Sequence, residues 1–376
     1  MEKPKIAILG VKYYPSRGGV SRVVEDTLIQ LKHQFDFTIY CYEHPEAKDN
    51  IEGVETIQFP KPPFAGLGVF IYYLRCAFHL RKHGKFDLVH IHKTDAAFIL
   101  PLLSKRFKCI ATSHEAPYKR DKWSALGKYF FRKMEKTFIR SHAKLTSISK
   151  PLSDYYFETY HRDVQFIPNG VDLSVEPDGA AADEVLSKFG INGPFVFFAA
   201  RRIMGTKGCH HMLKALKRIN YSGDIVIAGD TDQLPAYTKE LKQLSKGLNV
   251  HFIGYISSKA QLMALVQKAH IFCFPSETEG MSIMLLEVGS IGTPLIASDI
   301  PENTAVFNSE DLLFFSNKDH LDLAEKFKWA LDNYEAMNEK AEVARDKVHT
   351  HYSREVVALH YARLYTDQAK IPSPVS

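Results

Sequence analysis

The chain has 376 residues, 45% hydrophobic and 12% aromatic, enough to fill the cores of two domains of ~150 residues or more, which excludes disordered and fibrous classes. No apolar stretch reaches the ~18 residues of a membrane-spanning helix, and MEKPKIAILG runs into an apolar strand without a signal-peptide pattern, so a cytoplasmic protein is expected. The net charge of +5 is uneven: residues 1–172 hold 27 Lys and Arg against 18 Asp and Glu, residues 173–376 hold 21 against 25, and the window 101–150 alone holds 13 against 3. Such a window attracts anionic lipid, phosphorylated substrates or nucleic acid.

In chain order, KIAILGV predicts the first strand, and the Gly18-Gly19 turn after it opens the helix VSRVVEDTLIQLKHQ, whose first N–H groups suit a phosphate. FTIYCY and VETIQF predict two more strands, followed by the aromatic and basic segment PPFAGLGVFIYYLRCAFHLRKHGK. LVHIH is the next; its His90 and His92 are expected to face opposite sides, so that they share no metal. CIATSH ends in His114 at the carboxyl edge, where open parallel sheets bind ligands. In DKWSALGKYFFRKMEKTFIRSH, Trp123, Leu126, Phe130 and Met134 are read as one packed helical stripe. Lys128, Arg132, Lys136 and Arg140 fall on the opposite side and, with Lys119 and Arg120 beside them, are expected to dock on anionic lipid. LTSIS and VQFIP complete the first half, and Asn169-Gly170 forms a turn.

GVDLSVEPDGAAADEV, about residues 170–185, reads as the interdomain linker. The strand–helix alternation then restarts with FVFFAA, DIVIAG, VHFIGYI, IFCFPS, TPLIAS and LLFF, separated by helices such as HHMLKALKRI and KAQLMALVQKA. Continuous apolar strands interleaved with helices predict parallel sheets covered on both faces, one per half. Arg201, Arg202 and Lys207 follow a strand at its carboxyl edge, offering donors to a diphosphate. Asp230 and Asp232 in AGDTDQ read as a turn, although two carboxylates so spaced also suit a divalent ion. In SETEGMSIMLLEVGS, seven residues separate Glu279 from Glu287, which lies inside an apolar helix starting near Ser282 and needs a partner there, for which a ribose hydroxyl pair is the expected candidate. Cys41, Cys76, Cys109, Cys209 and Cys273 form no C-x-x-C pair and are expected to be reduced and buried. Two late helices, the last from about 353 to 370, follow the final strand.

The tandem α/β layout with GGVSR, TSHE, IPNGVD, RIMGTKG, FIGYIS and the Glu-seven-Glu segment resembles the family 4 retaining glycosyltransferases of the GT-B fold over nearly the whole chain. That resemblance implies two Rossmann-like domains facing across a cleft. Residues 1–172 with the returning helix 353–370 would bind the acceptor, and 186–352 the nucleotide sugar. It implies catalytic roles for His114, Glu279, Arg202 and Lys207, and donor binding by Gly18, Gly19, Arg201, Ile256, Gly280, Met281, Ser282 and Glu287. Arg22, His92 and Asn169 fall on the acceptor side. Three positions depart from the family pattern: Arg201 stands where Gly is commoner, Met281 where an aromatic is, and Glu115 where Asp or Gly is. The implied activity moves a sugar from a nucleoside diphosphate, UDP foremost, to a glycan or lipid-linked acceptor in cell-surface polysaccharide, lipopolysaccharide or glycolipid assembly. Neither metal nor other cofactor is expected, because Arg, Lys and helix N–H groups balance the phosphate charge. The expected location is the inner face of the membrane, with no nucleic-acid partner. A sugar-nucleotide epimerase of the same architecture and a basic nucleic-acid-binding protein are the alternative readings.

Overall fold

The structure is a computed structural model that describes residues 2–11, 14, 18–43, 51–63, 67–119 and 124–369, without the side chains of Leu67 and Lys119. Two compact units emerge, one of residues 1–170 with 354–376, the other of residues 171–353.

In the first unit the strands are β1 (Lys5–Leu9), β2 (Asp36–Tyr42), β3 (Val54–Phe59), β4 (Leu88–His92), β5 (Lys108–Ser113), β6 (Lys144–Ser147) and β7 (Gln165–Phe166). They form one seven-stranded sheet in the order β3-β2-β1-β4-β5-β6-β7, every pair parallel. The order reverses between β1 and β4, and open parallel sheets bind ligands at the carboxyl ends of the strands at such a switch point. Both faces are covered. One carries Ala7, Val89 and Ala111 under the helix Leu67–His83. The other carries Ile6, Ile8 and Phe37 under the helices Gly19–Leu31 and Arg354–Ala369, with Tyr361 and Tyr365 fully buried.

The second unit holds β8 (Phe195–Arg202), β9 (Asp224–Asp230), β10 (Asn249–Gly254), β11 (Ile271–Phe274), β12 (Leu295–Ser298) and β13 (Leu313–Phe315), a six-stranded parallel sheet in the order β10-β9-β8-β11-β12-β13. Its switch point lies between β8 and β11. All thirteen strands of the described residues fall on the apolar runs read from the sequence, because a strand buried on both faces has no polar alternation to disguise it. The five cysteines are free and buried, as expected.

Two expectations need correction. The segment 170–185 is linker only in its first part: the helix Gly179–Lys188 begins inside it, because the Asp178 side chain caps the Ala181 N–H at 3.0 Å and the alanine run propagates. The helix Ala125–Arg140 exists, yet its buried side is Met134, Glu135, Phe138 and Ile139, while Leu126 stands 77% exposed. A row of four-residue steps overshoots each turn by ~40°, so it winds off any fixed face within two or three turns. Phe130 still packs, with its ring 5.0 Å from that of Phe70. Trp123 and Arg120 lie outside the described residues, as does the side chain of Lys119.

Candidate functional site

In the second unit the site is built at the β8/β11 switch point. β8 ends on Arg201 and Arg202, both exposed and without an ion-pair partner among the described residues. The chain then turns back, Ile203 N–H donating to Asp230 O at 3.0 Å, and makes a single 3-10 turn, Gly205–Lys207. Gly208 closes this turn at φ 73°, where a Cβ would lie 1.8 Å from the carbonyl oxygen of Pro275 just beyond β11. Only glycine lets the two strand ends approach so closely. From the other side Glu277 N–H donates to Thr206 O at 2.9 Å. This double tie brings Lys207 Nζ within 2.5 Å of Glu279 Oε1, a pairing of two residues that the resemblance assigned to one sugar diphosphate.

Beyond Glu279, Met281 is buried and Ser282 caps the helix Ile283–Ile291, its Oγ accepting from Leu285 N–H at 3.3 Å. Glu287 lies one turn into that helix, 4% exposed, and the protein itself supplies the partner that the sequence reading left to a ligand: the ammonium of Lys259, first residue of the helix Lys259–Lys268. Nothing in the spacing of the sequence announces Lys259. Gly280 joins these residues on the same segment, and Ile256 sits half-buried after β10. The Asp230 carboxylate is engaged in its own turn, accepting from Asp232 N–H at 2.9 Å and from Gln233 Nε2–H at 2.6 Å.

The first unit carries a separate cluster at the β1/β4 switch point. His92 ends β4 and His114 follows β5; their Nδ1 and Nε2 atoms share a hydrogen bond of 3.0 Å. The expectation that His90 and His92 face opposite sides is wrong. Residues two apart on a strand share a face, and the two rings lie 4.0 Å apart between centroids. His90 Nε2 bonds Thr112 Oγ1 at 2.6 Å, and its Nδ1 bonds the Tyr365 hydroxyl at 2.8 Å. Thr112 in turn bonds Thr146 at 2.6 Å. Gly10 packs its backbone against this cluster at φ 99°, a Cβ there falling 1.9 Å from His92 O. Asn169 is buried; Arg22 sits half-buried on the helix that Gly18 and Gly19 open. Of the residues given catalytic, donor-binding or acceptor roles from the sequence, Gly18, Gly19, Arg22, His92, His114 and Asn169 lie in the first unit and the others in the second.

Burial dominates the protonation of the trio. It pushes His92 down to about 3, assisted by the Lys93 charge, and holds His114 and His90 well below the usual imidazole range, with the neighbouring rings adding to the effect. All three are neutral at neutral pH, so the His92–His114 bond has one ring donating and the other accepting. A histidine whose folded pKa lies below its unfolded value of about 6.5 takes up its proton preferentially on unfolding, so stability falls as pH drops below about 6.5. Across denaturant unfolding at pH 6.5, 5.5 and 4.5 the loss is expected to steepen from about 1 toward ~1.4 kcal/mol per pH unit for each such histidine. His92→Gln should flatten that slope; an unchanged slope in the variant would remove this histidine from the account.

Comparison with known proteins agrees with this architecture. The family model for glycosyl transferases group 1 matches residues 183–347, and that for Glycosyltransferase Family 4 matches residues 17–175. The chain is 24% identical over 349 residues to a glycogen synthase of Mycobacterium tuberculosis, covering 86% of this chain and 82% of that one. It is 25% identical over 296 residues to a phosphatidyl-myo-inositol mannosyltransferase of the same species, covering 75% and 74%. Among solved structures, an Anabaena protein crystallised with UDP and glucose superposes with a TM-score of 0.79 at 16% identity, over 97% of this chain and all of the other.

Proposed function

The chain belongs to the family 4, group 1 glycosyltransferases, and from that premise we propose that it is a retaining, metal-independent hexosyltransferase working at an anionic membrane surface. Its two Rossmann-like domains are those of the GT-B architecture. In this reading the donor is a nucleoside-diphosphate sugar, UDP foremost, and the acceptor a glycan or lipid-linked sugar of a cell-surface polysaccharide or glycolipid. The Anabaena structure holding UDP and the mannosyltransferase acting on a phosphatidylinositol lend support to donor and acceptor class respectively.

The observation that carries the reading is the Lys207–Glu279 pair at the switch point, with Arg202 ending the strand that leads to Lys207 and the helix Ile283–Ile291 following Glu279. Departure of a nucleoside diphosphate leaves negative charge on its terminal phosphate. An ammonium, a guanidinium and helix N–H groups already in place stabilise that charge without reorganisation. The leaving phosphate oxygen then accepts the proton of the acceptor hydroxyl on the same face of the sugar, so no side-chain nucleophile is required and the anomeric configuration is kept. Glu279 receives sugar hydroxyls, Glu287 with Lys259 beside it faces the ribose, and neutral His114, held by His92, orients the acceptor. Incubation with UDP-, GDP- and ADP-sugars, with NMR of the product's anomeric proton, tests this: inversion at the anomeric carbon, or hydrolysis of none of the donors, defeats it. Because cationic side chains serve the phosphates, transfer well below the unfolding temperature is expected to survive EDTA; a strict Mn²⁺ or Mg²⁺ requirement would return Asp230 and Asp232 to consideration.

The membrane part rests on the first unit. Leu126 and Tyr129 stand 77% and 66% exposed on the helix that also exposes Arg132, Lys136 and Arg140. Those three cations and Tyr129 line a cavity of about 410 Å³ with Tyr118, Tyr155 and Tyr160. Apolar side chains among cations suit the headgroup region of an anionic bilayer. No helix of the described residues is long and apolar enough to cross one.

A further inference from the structure

A second cluster in the 171–353 unit lies beside the Lys207 turn and has no part in the transfer reading. The helix Cys209–Arg218 starts immediately after Gly208, and its first turn presents His210 and His211 toward Glu277. His211 Nε2 is 3.1 Å and His210 Nε2 3.7 Å from Glu277 Oε1, and the three ligand atoms all lie within 4.8 Å of one another. The imidazole centroids lie 3.9 Å apart with the planes tilted by 42°, and both Nε2 atoms converge on the one carboxylate oxygen. We propose that His210, His211 and Glu277 form a binding site for a divalent transition-metal ion of the zinc type.

The geometry is close to what such an ion demands. Ligand atoms about 2.0–2.2 Å from a tetrahedral zinc stand roughly 3.4 Å from each other, so small side-chain movements suffice. Two imidazoles and one carboxylate, with no thiolate and a single carboxylate, favour zinc-like ions over calcium or magnesium; water completes the shell. Two of the three ligands are held from behind. His210 Nδ1 lies 2.9 Å from the Tyr237 hydroxyl, and with its proton there the Nε2 lone pair faces Glu277. Among the described residues no partner fixes His211 Nδ1, so this ring can change from donating Nε2–H to Glu277 to offering the Nε2 lone pair to an ion, at the cost of an unpaired buried Nδ1–H. Glu277 is anchored through its backbone to Thr206, and Lys318 Nζ at 3.2 Å occupies Oε2, leaving Oε1 for the ion. Against metal uptake stand the charges of Lys214 and Lys318 nearby, which set a limit on affinity.

The ion would join the first turn of one helix to the segment that leads to Glu279, clamping the loops that carry Lys207 and Glu279. Its role is therefore structural. The test uses the full-length protein, dialysed against EDTA and then freed of chelator, titrated with Zn²⁺ by calorimetry and followed by thermal melting. One equivalent of Zn²⁺ is expected to bind and to raise Tm by several degrees, since saturation at ~100 Kd stabilises by ~2.7 kcal/mol. Glu277→Gln, nearly isosteric, should weaken binding by at least ~10-fold, as should His211→Ala, whereas the exposed His142→Ala should not. If His211→Ala fails to fold, the Glu277→Gln variant still decides. Wild-type protein that takes up no stoichiometric Zn²⁺, or a folded Glu277→Gln variant that binds it as tightly, overturns the site.

Discussion

Lys207→Ala and Glu279→Ala, each folded, are expected to lower sugar transfer by at least ~10²-fold, a loss of ~2.7 kcal/mol of transition-state stabilisation. The two act at different points of the reaction coordinate. Lys207 meets charge that appears only as the diphosphate departs, so its loss should fall on kcat; Glu279 holds sugar hydroxyls throughout, so its loss should raise KM as well. Since the two side chains touch at 2.5 Å, either truncation destroys the same pair, and the double variant should lose less than the product of the two single effects. Glu279→Gln tells charge from shape: retained binding of donor with poor turnover would mark the carboxylate's charge as the acting property. Near-wild-type rates from both alanine variants, measured with whichever donor the screen identifies, would end the assignment of this pair to the donor site.

What the sequence disclosed of this machinery follows from how local its causes are. The thirteen strands were readable because parallel strands are apolar on both faces, and Lys207 and Glu279 because each follows a strand into a glycine-bearing turn, at a predictable edge of the sheet. The histidine trio was half readable: His114 sits at a strand end in plain view, and the shared face of His90 and His92 follows from the two-residue period once that period is applied correctly. The Tyr365 hydroxyl that holds His90 comes from 275 residues downstream, on a helix whose buried tyrosines resemble those of any packed helix. Lys259 opposite Glu287 and Glu277 opposite His210 and His211 are hidden for the same reason. A pair formed between elements distant in the chain has no periodicity, and the residues between its members carry no trace of it. The helix Ala125–Arg140 failed differently, since a four-residue step is near enough to 3.6 to look like a face and far enough to leave it.

That helix also bears the second large effect. Reversing Lys128, Arg132, Lys136 and Arg140 together to Glu should weaken binding to vesicles of anionic lipid by about 10³-fold, at ~1 kcal/mol for each lost attraction before any added repulsion is counted. Arg132, Lys136 and Arg140 are exposed and Lys128 half-buried, so the change spares the core face of Met134, Phe138 and Ile139. Four new carboxylates near the buried Glu135, whose Oε1 accepts from the Tyr160 hydroxyl at 3.0 Å, do add like charge. A companion variant with four Gln residues removes the attraction without that repulsion and is expected to fall between wild type and the reversal. Screening over ~8 Å at physiological ionic strength means that wild-type binding declines with added salt, while both variants respond less. Neutral vesicles should hold the protein weakly from the outset, through Leu126 and Tyr129 alone, and Leu126→Ser should reduce even that remainder. Transfer to a short soluble acceptor should be unaffected by the reversal, whereas transfer to an acceptor embedded in the vesicle should fall with occupancy of the surface. If the quadruple variant keeps its vesicle binding and its salt response, the exposed leucine, tyrosine and cations of this helix face a partner other than lipid, and the membrane reading of the basic window is lost.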